Sequence, residues 1–403
     1  MKKFLLLMLT GSLLSASHRA CLATPGAKPQ LSHDLEPLAR LSLSEGARPI
    51  FFAPDGKFLL FERYDVLRLW DVERGQEAAF LPPEASVRAG EDPTEATLPR
   101  RAWAFSCDGR YLVLAGEAVS TRDSLYDVWW CDLRLHKAQR LNLGRLRGGI
   151  LKVSDIDAAG DVAFVAVDVS EARTEGGSTL TVNHSASILR PEPALPTKLA
   201  KPDPTGAPAF ICPTFSCDGL LIAVGTAGSG LVIYNARSGQ VRARSIIGHE
   251  SSVYPLGFTH DGRTLWVIRS SQGLGNPLRV TGVSSSATLR VHPVPLLKDA
   301  TVLGISPQDV LLAQDQAVQP EPPTAEASRR TTLPFWQTFL LVDAHSGRLL
   351  RRERLQARHM EGFDDSWSFV GFVQNGERAA FWSDAQQRLT FLRISTLGQR
   401  TRH

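Results

Sequence analysis

A chain of 403 residues with 43% hydrophobic and 21% charged side chains can bury a large core, which excludes a disordered tail or linker protein. Its 45 basic and 41 acidic side chains leave a formal charge of +4, spread along the sequence without a basic arm, so nucleic acid is not an expected partner. Arg348, Arg351, Arg352 and Arg354 alternate with leucines and read as the solvated positions of an edge strand.

The amino terminus differs in kind from the rest. Lys2 and Lys3 precede an apolar stretch, 4–16, which leads into small residues around Cys21, Leu22 and Ala23. That order is the pattern of a secretory signal peptide, cleaved after Ala23. The apolar stretch is short of the roughly 20 residues that span a bilayer. Membrane contact would come only through an uncleaved anchor or lipidation of Cys21, and His18 and Arg19 match a lipidation site poorly. The expected location is periplasmic or secreted.

Further along, one phrase recurs: an apolar residue, two small ones, Asp or Asn, Gly, then a hydrophobic run. It stands as Phe52-Ala53-Pro54-Asp55-Gly56, Phe105-Ser106-Cys107-Asp108-Gly109, Phe215-Ser216-Cys217-Asp218-Gly219, Phe258-Thr259-His260-Asp261-Gly262 and Phe372-Val373-Gln374-Asn375-Gly376. Ile156-Asp157-Ala158-Ala159-Gly160 and Ile305-Ser306-Pro307-Gln308-Asp309 are worn copies. A repeat of this period signals a modular architecture rather than one globular enzyme core. Asp-Gly between apolar runs is a strong hairpin signal, because both central residues of such a turn need positive φ.

Taken in order, 48–81 holds four short strands, with the turns Asp55-Gly56 and Arg74-Gly75. Four meandering strands make one blade of a β-propeller. Similar units follow over 101–143, 149–200, 209–247, 252–294 and 300–355, and a last unit starting at 366 supplies three strands. The strand over 38–43 is expected to complete it and close the ring, hiding the free edges. The fold class is therefore all-β, a single seven-bladed propeller, with six or eight blades if the third or sixth unit is misread. The division is 1–23 signal peptide, 24–35 linker, 36–397 propeller and 398–403 C-terminal tail.

Leu69-Trp70-Asp71 at the end of a third strand, and Gly248-His249 ahead of Phe258-Thr259-His260-Asp261-Gly262, resemble the WD-repeat (WD40-type) propellers, here of a bacterial exported type. The resemblance covers nearly the whole mature chain. It implies a structural hydrogen-bonding role for His249 and a binding rather than a catalytic task. One Trp-Asp and one such Gly-His pair are present, so lactonase-like and periplasmic translocation-associated (TolB-like) propellers stand as alternatives.

No sequence constellation assigns catalysis. There is no Gly-x-Ser-x-Gly elbow, His-Glu-x-x-His or Cys-x-x-Cys, so no catalytic, cofactor-binding or metal-ligating residue is expected. The Gly-rich loop 225–230 lies between strands and lacks the helix N-terminus that cradles phosphate. His136, His260 and His345 fall in turns and are expected to be solvated. Cys212 and Cys217 sit five residues apart on one extended segment, ~16 Å at ~3.3 Å per residue, and bonded cysteines need about 7 Å or less. Cys107 and Cys217 hold the same turn position in non-adjacent repeats, so with Cys131 and Cys212 they are expected to be buried, unbridged thiols.

Loop lengths carry the functional expectation. Turns joining first to second and third to fourth strands are short, whereas the other connections hold the insertions 82–100, 115–125, 170–183, 315–332 and 356–365. All of these fall on one face, which is expected to bind. Four positions before each apolar residue of the phrase stand Arg48, Arg101, Lys152, Ile211, Tyr254, Thr301 and Ser368, at the channel mouth on that face. Arg48, Arg101 and Lys152 would form an arc suited to an acidic peptide or anion, or a solvated rim paired with Glu95 and Asp123. Tyr254 joins them, and Trp367 is expected to be the exposed tryptophan.

The expected function is a non-catalytic scaffold, monomeric by itself, that binds a protein or peptide partner through its long-loop face. The alternative is a propeller hydrolase (lactonase-like), or an enzyme acting on a saccharide or peptide, with its site at the channel mouth.

Overall fold

Each copy of the recurring phrase ends the first strand of a four-stranded meander, and the meanders stand side by side around an axis. The computed structural model describes residues 47–63, 66–81, 101–117, 126–141, 149–174, 177–190, 197–200, 210–226, 230–247, 252–270, 275–284, 288–316, 332–360 and 363–394. Blade 1 comprises β1 (Ala47–Phe52), β2 (Phe58–Arg63), β3 (Val66–Asp71) and β4 (Gln76–Glu77). Blade 2 comprises β5 (Arg101–Phe105), β6 (Tyr111–Glu117), β7 (Tyr126–Asp132) and β8 (Lys137–Leu141). Blade 3 follows with β9 (Gly149–Ile156), β10 (Val162–Thr174), β11 (Gly177–Leu189) and β12 (Thr197–Lys198).

Blade 4 holds β13 (Phe210–Phe215), β14 (Leu221–Thr226), β15 (Gly230–Asn235) and β16 (Val241–Ile246). Blade 5 holds β17 (Ser252–Phe258), β18 (Thr264–Ser270), β19 (Asn276–Thr281) and β20 (Arg290–Pro293), followed by a single 3-10 turn, Pro295–Leu297. Blade 6 has five strands: β21 (Ala300–Ile305), β22 (Val310–Asp315), β23 (Thr332–Asp343), β24 (Leu349–Met360) and β25 (Phe363–Asp365). Blade 7 shows β26 (Trp367–Val373), β27 (Arg378–Ser383) and β28 (Arg388–Arg393). Its expected fourth strand, 38–43, lies outside the described residues, as do the signal segment and Gly248-His249.

First strands are innermost, since β1 touches β26, β5 touches β9, and β9, β13, β17 and β21 follow one another around the axis. A register shift bends the first strand of every blade except blade 2, as between Pro49 and Phe51 or Pro255 and Gly257. Apolar residues form seven buried clusters, one at each blade interface, including Phe52 and Leu59 of blade 1 against Val370 and Trp382 of blade 7. Each blade thus buries both faces, and each interface acts as a separate core.

Where the phrase begins with Phe followed by Ser or Thr, a buried hydroxyl organises the turn. Ser106 Oγ donates to Asp108 Oδ1 at 2.7 Å and accepts the Tyr111 N–H at 2.8 Å. Ser216 and Thr259 repeat this with Asp218 and Leu221, and with Asp261 and Thr264. The carboxylate next accepts a backbone N–H two residues on, as Asp108 does from Arg110 at 3.1 Å.

The turns then nest, each over that of the preceding blade. A Cβ on Gly109 would lie 2.7 Å from the Asp55 carboxyl carbon, one on Gly219 would lie 2.5 Å from Asp157 Oδ2, and one on Gly56 would meet the Gln374 nitrogen at 3.1 Å. Gly160 lies against Trp130, Gly262 against Ser216 and Gly376 against Pro307. Blade 6 has Asp309 in the glycine position, at φ 57°, and its Oδ1 accepts the His260 N–H at 2.5 Å. Seven such joints close the ring at seven blades.

Candidate functional site

On the face of the long connections, two blades rise above the rest among the described residues. β10 pairs with β9 from Val162 to Asp168, but its ladder with β11 continues to Thr174 opposite Gly177. β22 pairs with β23 only as far as Thr338, while β23 and β24 remain paired out to Thr332 opposite Met360. β25 adds a third strand against Arg358–Met360. The insertions 170–183 and 356–365 are therefore largely strand and not loop. Their β-branched stretches, such as Thr179 to Val182, pair into ribbons that continue the blade ladders. Of the other insertions, 82–100, 118–125 and 317–331 lie outside the described residues.

The rim residues share a strand level but are not all alike. Arg48 is exposed, with its Nε 3.8 Å from Asp384 Oδ1 of blade 7. Arg101 and Lys152 stand in β5 and β9 opposite Gly116 and Val165, and their side chains, like Glu95 and Asp123, lie outside what is described. Tyr254 is half-buried opposite Ile268.

Trp367 is not an exposed rim residue: it is 5% exposed. Its indole N–H donates to the Gln356 carbonyl at 2.8 Å, and its backbone N–H donates to Gln337 Oε1 at 2.7 Å. The extension of β23 and β24 supplies both acceptors, and Gln356 begins a stretch expected to be loop. The exposed tryptophan is Trp336, 49% exposed on the ribbon opposite Gln356. Only the pairing of β23 with β24 into a ribbon brings Trp336 to this exposed position.

At the other end of the axis, the third residue of each phrase reads Pro54, Cys107, Ala158, Cys217, His260, Pro307 and Gln374. Cys107 and Cys217 meet here although their blades are not neighbours, with Cys107 Sγ 3.6 Å from the Cys217 carbonyl oxygen. Only a methyl group, that of Ala158, occupies the position between them. The Cys107 thiol donates to the Cys217 carbonyl, and His260 of blade 5 holds the same position in the next turn. The expectation that the cysteines are separate and buried is corrected: Cys131 is buried, but Cys107, Cys212 and Cys217 are half-buried.

Electrostatics at this end are unusual. The neighbouring Cys107 thiol, with help from His260, holds the Cys217 thiol below its usual range against the effect of its burial. The same contact, with burial, pushes the Cys107 thiol up. Asp155 lies behind them half-buried, and desolvation of its carboxyl raises it to about 7 even though Oδ2 accepts the Phe215 N–H at 2.7 Å. His345 binds Asp309 Oδ2 at 2.9 Å, so it is anchored rather than simply solvated. Among the described residues no group of three His, Cys, Asp or Glu is placed to hold a metal ion.

Between blades 1 and 2, β4 stops after two residues and leaves a cleft of 340 Å³ lined by Asp71, Arg74, Glu77, Phe80 and His136. His136, expected to be solvated, is half-buried and stacks on Phe80 with ring centroids 5.2 Å apart.

No protein-family model matches the chain, and no curated protein matches it. Among solved structures it is similar to the Cps50 (Swd1) beta-propeller domain of Myceliophteria thermophila, at 13% identity and a TM-score of 0.50, covering 87% of this chain and 97% of that one. It is also similar to a Kuenenia stuttgartiensis hydrazine synthase chain, at 14% identity and a TM-score of 0.46, covering 86% and 95%. At these identities the likeness concerns the propeller fold.

Proposed function

We propose that the protein is an exported, non-catalytic, WD-repeat-like scaffold that binds a protein or peptide partner on the face of its long connections. The observation that carries this reading is the pair of ribbons, β10–β11 and β23–β25, which rise on one face, with Trp336 exposed on the second. Exposed aromatic side chains on rigid elements make effective anchors, because they bury much area while few torsions are fixed. Arg48, Arg101, Lys152 and Tyr254 border the same face and would read an acidic or mixed peptide segment. Export rests on Lys2, Lys3 and the apolar stretch 4–16.

Affinity capture from the native envelope, followed by cross-link mapping, tests the reading. Cross-links are expected on the ribbons and the first-strand rim, in chains that begin at Thr24 after cleavage. Cross-links confined to the Asp-Gly turns, or a chain retained in the cytoplasm with Met1 intact, would overturn it.

A further inference from the structure

The meeting of Cys107 and Cys217 is not required by the fold. Five of the seven phrases carry no cysteine at that position, and Pro54, Ala158, His260, Pro307 and Gln374 all close the same turn. A buried structural thiol behaves as a small inert hydrophobe, as Cys131 does with 0% exposure. Cys107 and Cys217 are different: they come from separate blades, retain partial exposure, and the Cys107 sulfur is directed at the Cys217 turn. We infer that Cys107 and Cys217 form a redox-active dithiol that closes to a disulfide across the turn end of the axis, by exchange with an external disulfide.

Each partner has a distinct role. Cys217 is the attacking sulfur, since the Cys107 thiol is engaged as a donor to the Cys217 carbonyl oxygen, while His260 holds the matching turn position of blade 5. Asp309 fixes the His260 backbone through its 2.5 Å bond, and its second oxygen is tied to His345. The Cys217 thiolate attacks one sulfur of a disulfide R–S–S–R, forming Cys217–S–S–R and releasing R–S⁻, which takes up a proton. Cys107 then loses its proton to His260 or water and attacks the Cys217 sulfur, expelling the second R–S⁻. Two protein thiols are oxidised and one external disulfide is reduced to two thiols, so electrons and protons balance.

The position of the bond gives it a consequence. It would link residues 110 apart in sequence, joining blade 2 to blade 4 over blade 3. The first sulfur is reachable because the intervening turn offers only Ala158, and a larger side chain there would separate the pair.

The test uses the full chain, reduced and then exposed to oxidised glutathione. Mass spectrometry of the wild type is expected to show loss of two thiols per chain and one linked peptide pair, Cys107 with Cys217. Cys107→Ser is expected to stop halfway, with a stable glutathione adduct on Cys217. Cys217→Ser is expected to slow modification of Cys107 at least tenfold relative to Cys217 in the first variant. Glutathione adducts on both cysteines of the wild type without a link, a link made instead to Cys212 or Cys131, or no thiol loss would each overturn the assignment. The wild-type mapping stands by itself if either variant fails to fold.

Discussion

Arg110 closes both Nε and Nη2 on a single oxygen of Asp132, at 3.2 and 2.9 Å, while the other oxygen accepts the backbone N–H groups of Arg134 and Leu135. Asp132 is 1% exposed and ends the third strand of blade 2, the place Asp71 holds in blade 1. The pairing raises the guanidinium, and Arg110 also lies over the Tyr111 ring at 4.6 Å. Asp132→Ala strips the turn of two N–H acceptors and is expected to lower unfolding stability by about 3 kcal/mol. Arg110→Ala leaves both turn bonds in place and is expected to cost about half as much. Equal losses in urea denaturation would count against this division.

Two glycines with nearly the same backbone separate conformational strain from crowding. Gly75 has φ 65° with nothing near a would-be Cβ, whereas Gly219 has φ 67° and a carboxylate oxygen 2.5 Å away. Gly75→Ala is expected to cost about 1 kcal/mol, the backbone penalty alone. Gly219→Ala adds displacement of Asp157 and is expected to cost at least about 2 kcal/mol more. Thermal melts of the two variants compare them directly.

Asp155 makes stability depend on pH. Its folded carboxyl is raised to about 7 by burial, while an unfolded aspartate titrates near ~3.9. Between these values the folded chain holds a proton that the unfolded chain has released. Its contribution is complete below pH ~4 and is lost as pH rises through 7, on the order of 4 kcal/mol in full. Asp155→Asn is expected to flatten the decline between pH 4.5 and 7.5, leaving the part due to Asp157, which burial raises to about 6. An unchanged slope in denaturant titrations at those two pH values would argue against the assignment.

The two tryptophans of the ribbon region part structure from binding. Trp367 is enclosed and doubly hydrogen-bonded, so Trp367→Ala is expected to cost about 4 kcal/mol. Trp336 is exposed, so Trp336→Ala is expected to leave the melting temperature within a degree or two while reducing captured partner at least tenfold. Partner capture at the wild-type level by Trp336→Ala would move the binding surface elsewhere.

The number of blades could be read from the phrase itself, because Asp-Gly turns and Ser or Thr hydroxyls act within five residues. Even the worn copy ending in Asp309 keeps its glycine-like backbone. What could not be read depends on ladders between distant segments. Nothing local in 356–360 distinguishes a loop from a strand until β23 is known to continue beside it, and the exposure of Trp336 and enclosure of Trp367 follow from that pairing. Cys107 and Cys217 are unbridged, as the repeat spacing implies, but their approach is not legible in it: inner turns converge on an axis, where blades separated by a small residue can touch.

The nested turns also bear on how the chain reaches this state. Six of the seven joints link blades that follow each other in sequence, so each can form as soon as its second blade exists, with modest loop-closure cost. The seventh, Gly56 on Val373 and Gln374, must wait until more than 300 residues are in place. That seam should be the last to seal during folding and the first to open in native-state hydrogen exchange. An open arc of blades, rather than a dissolved core, is then the species from which the molecule would misassemble with another copy of itself.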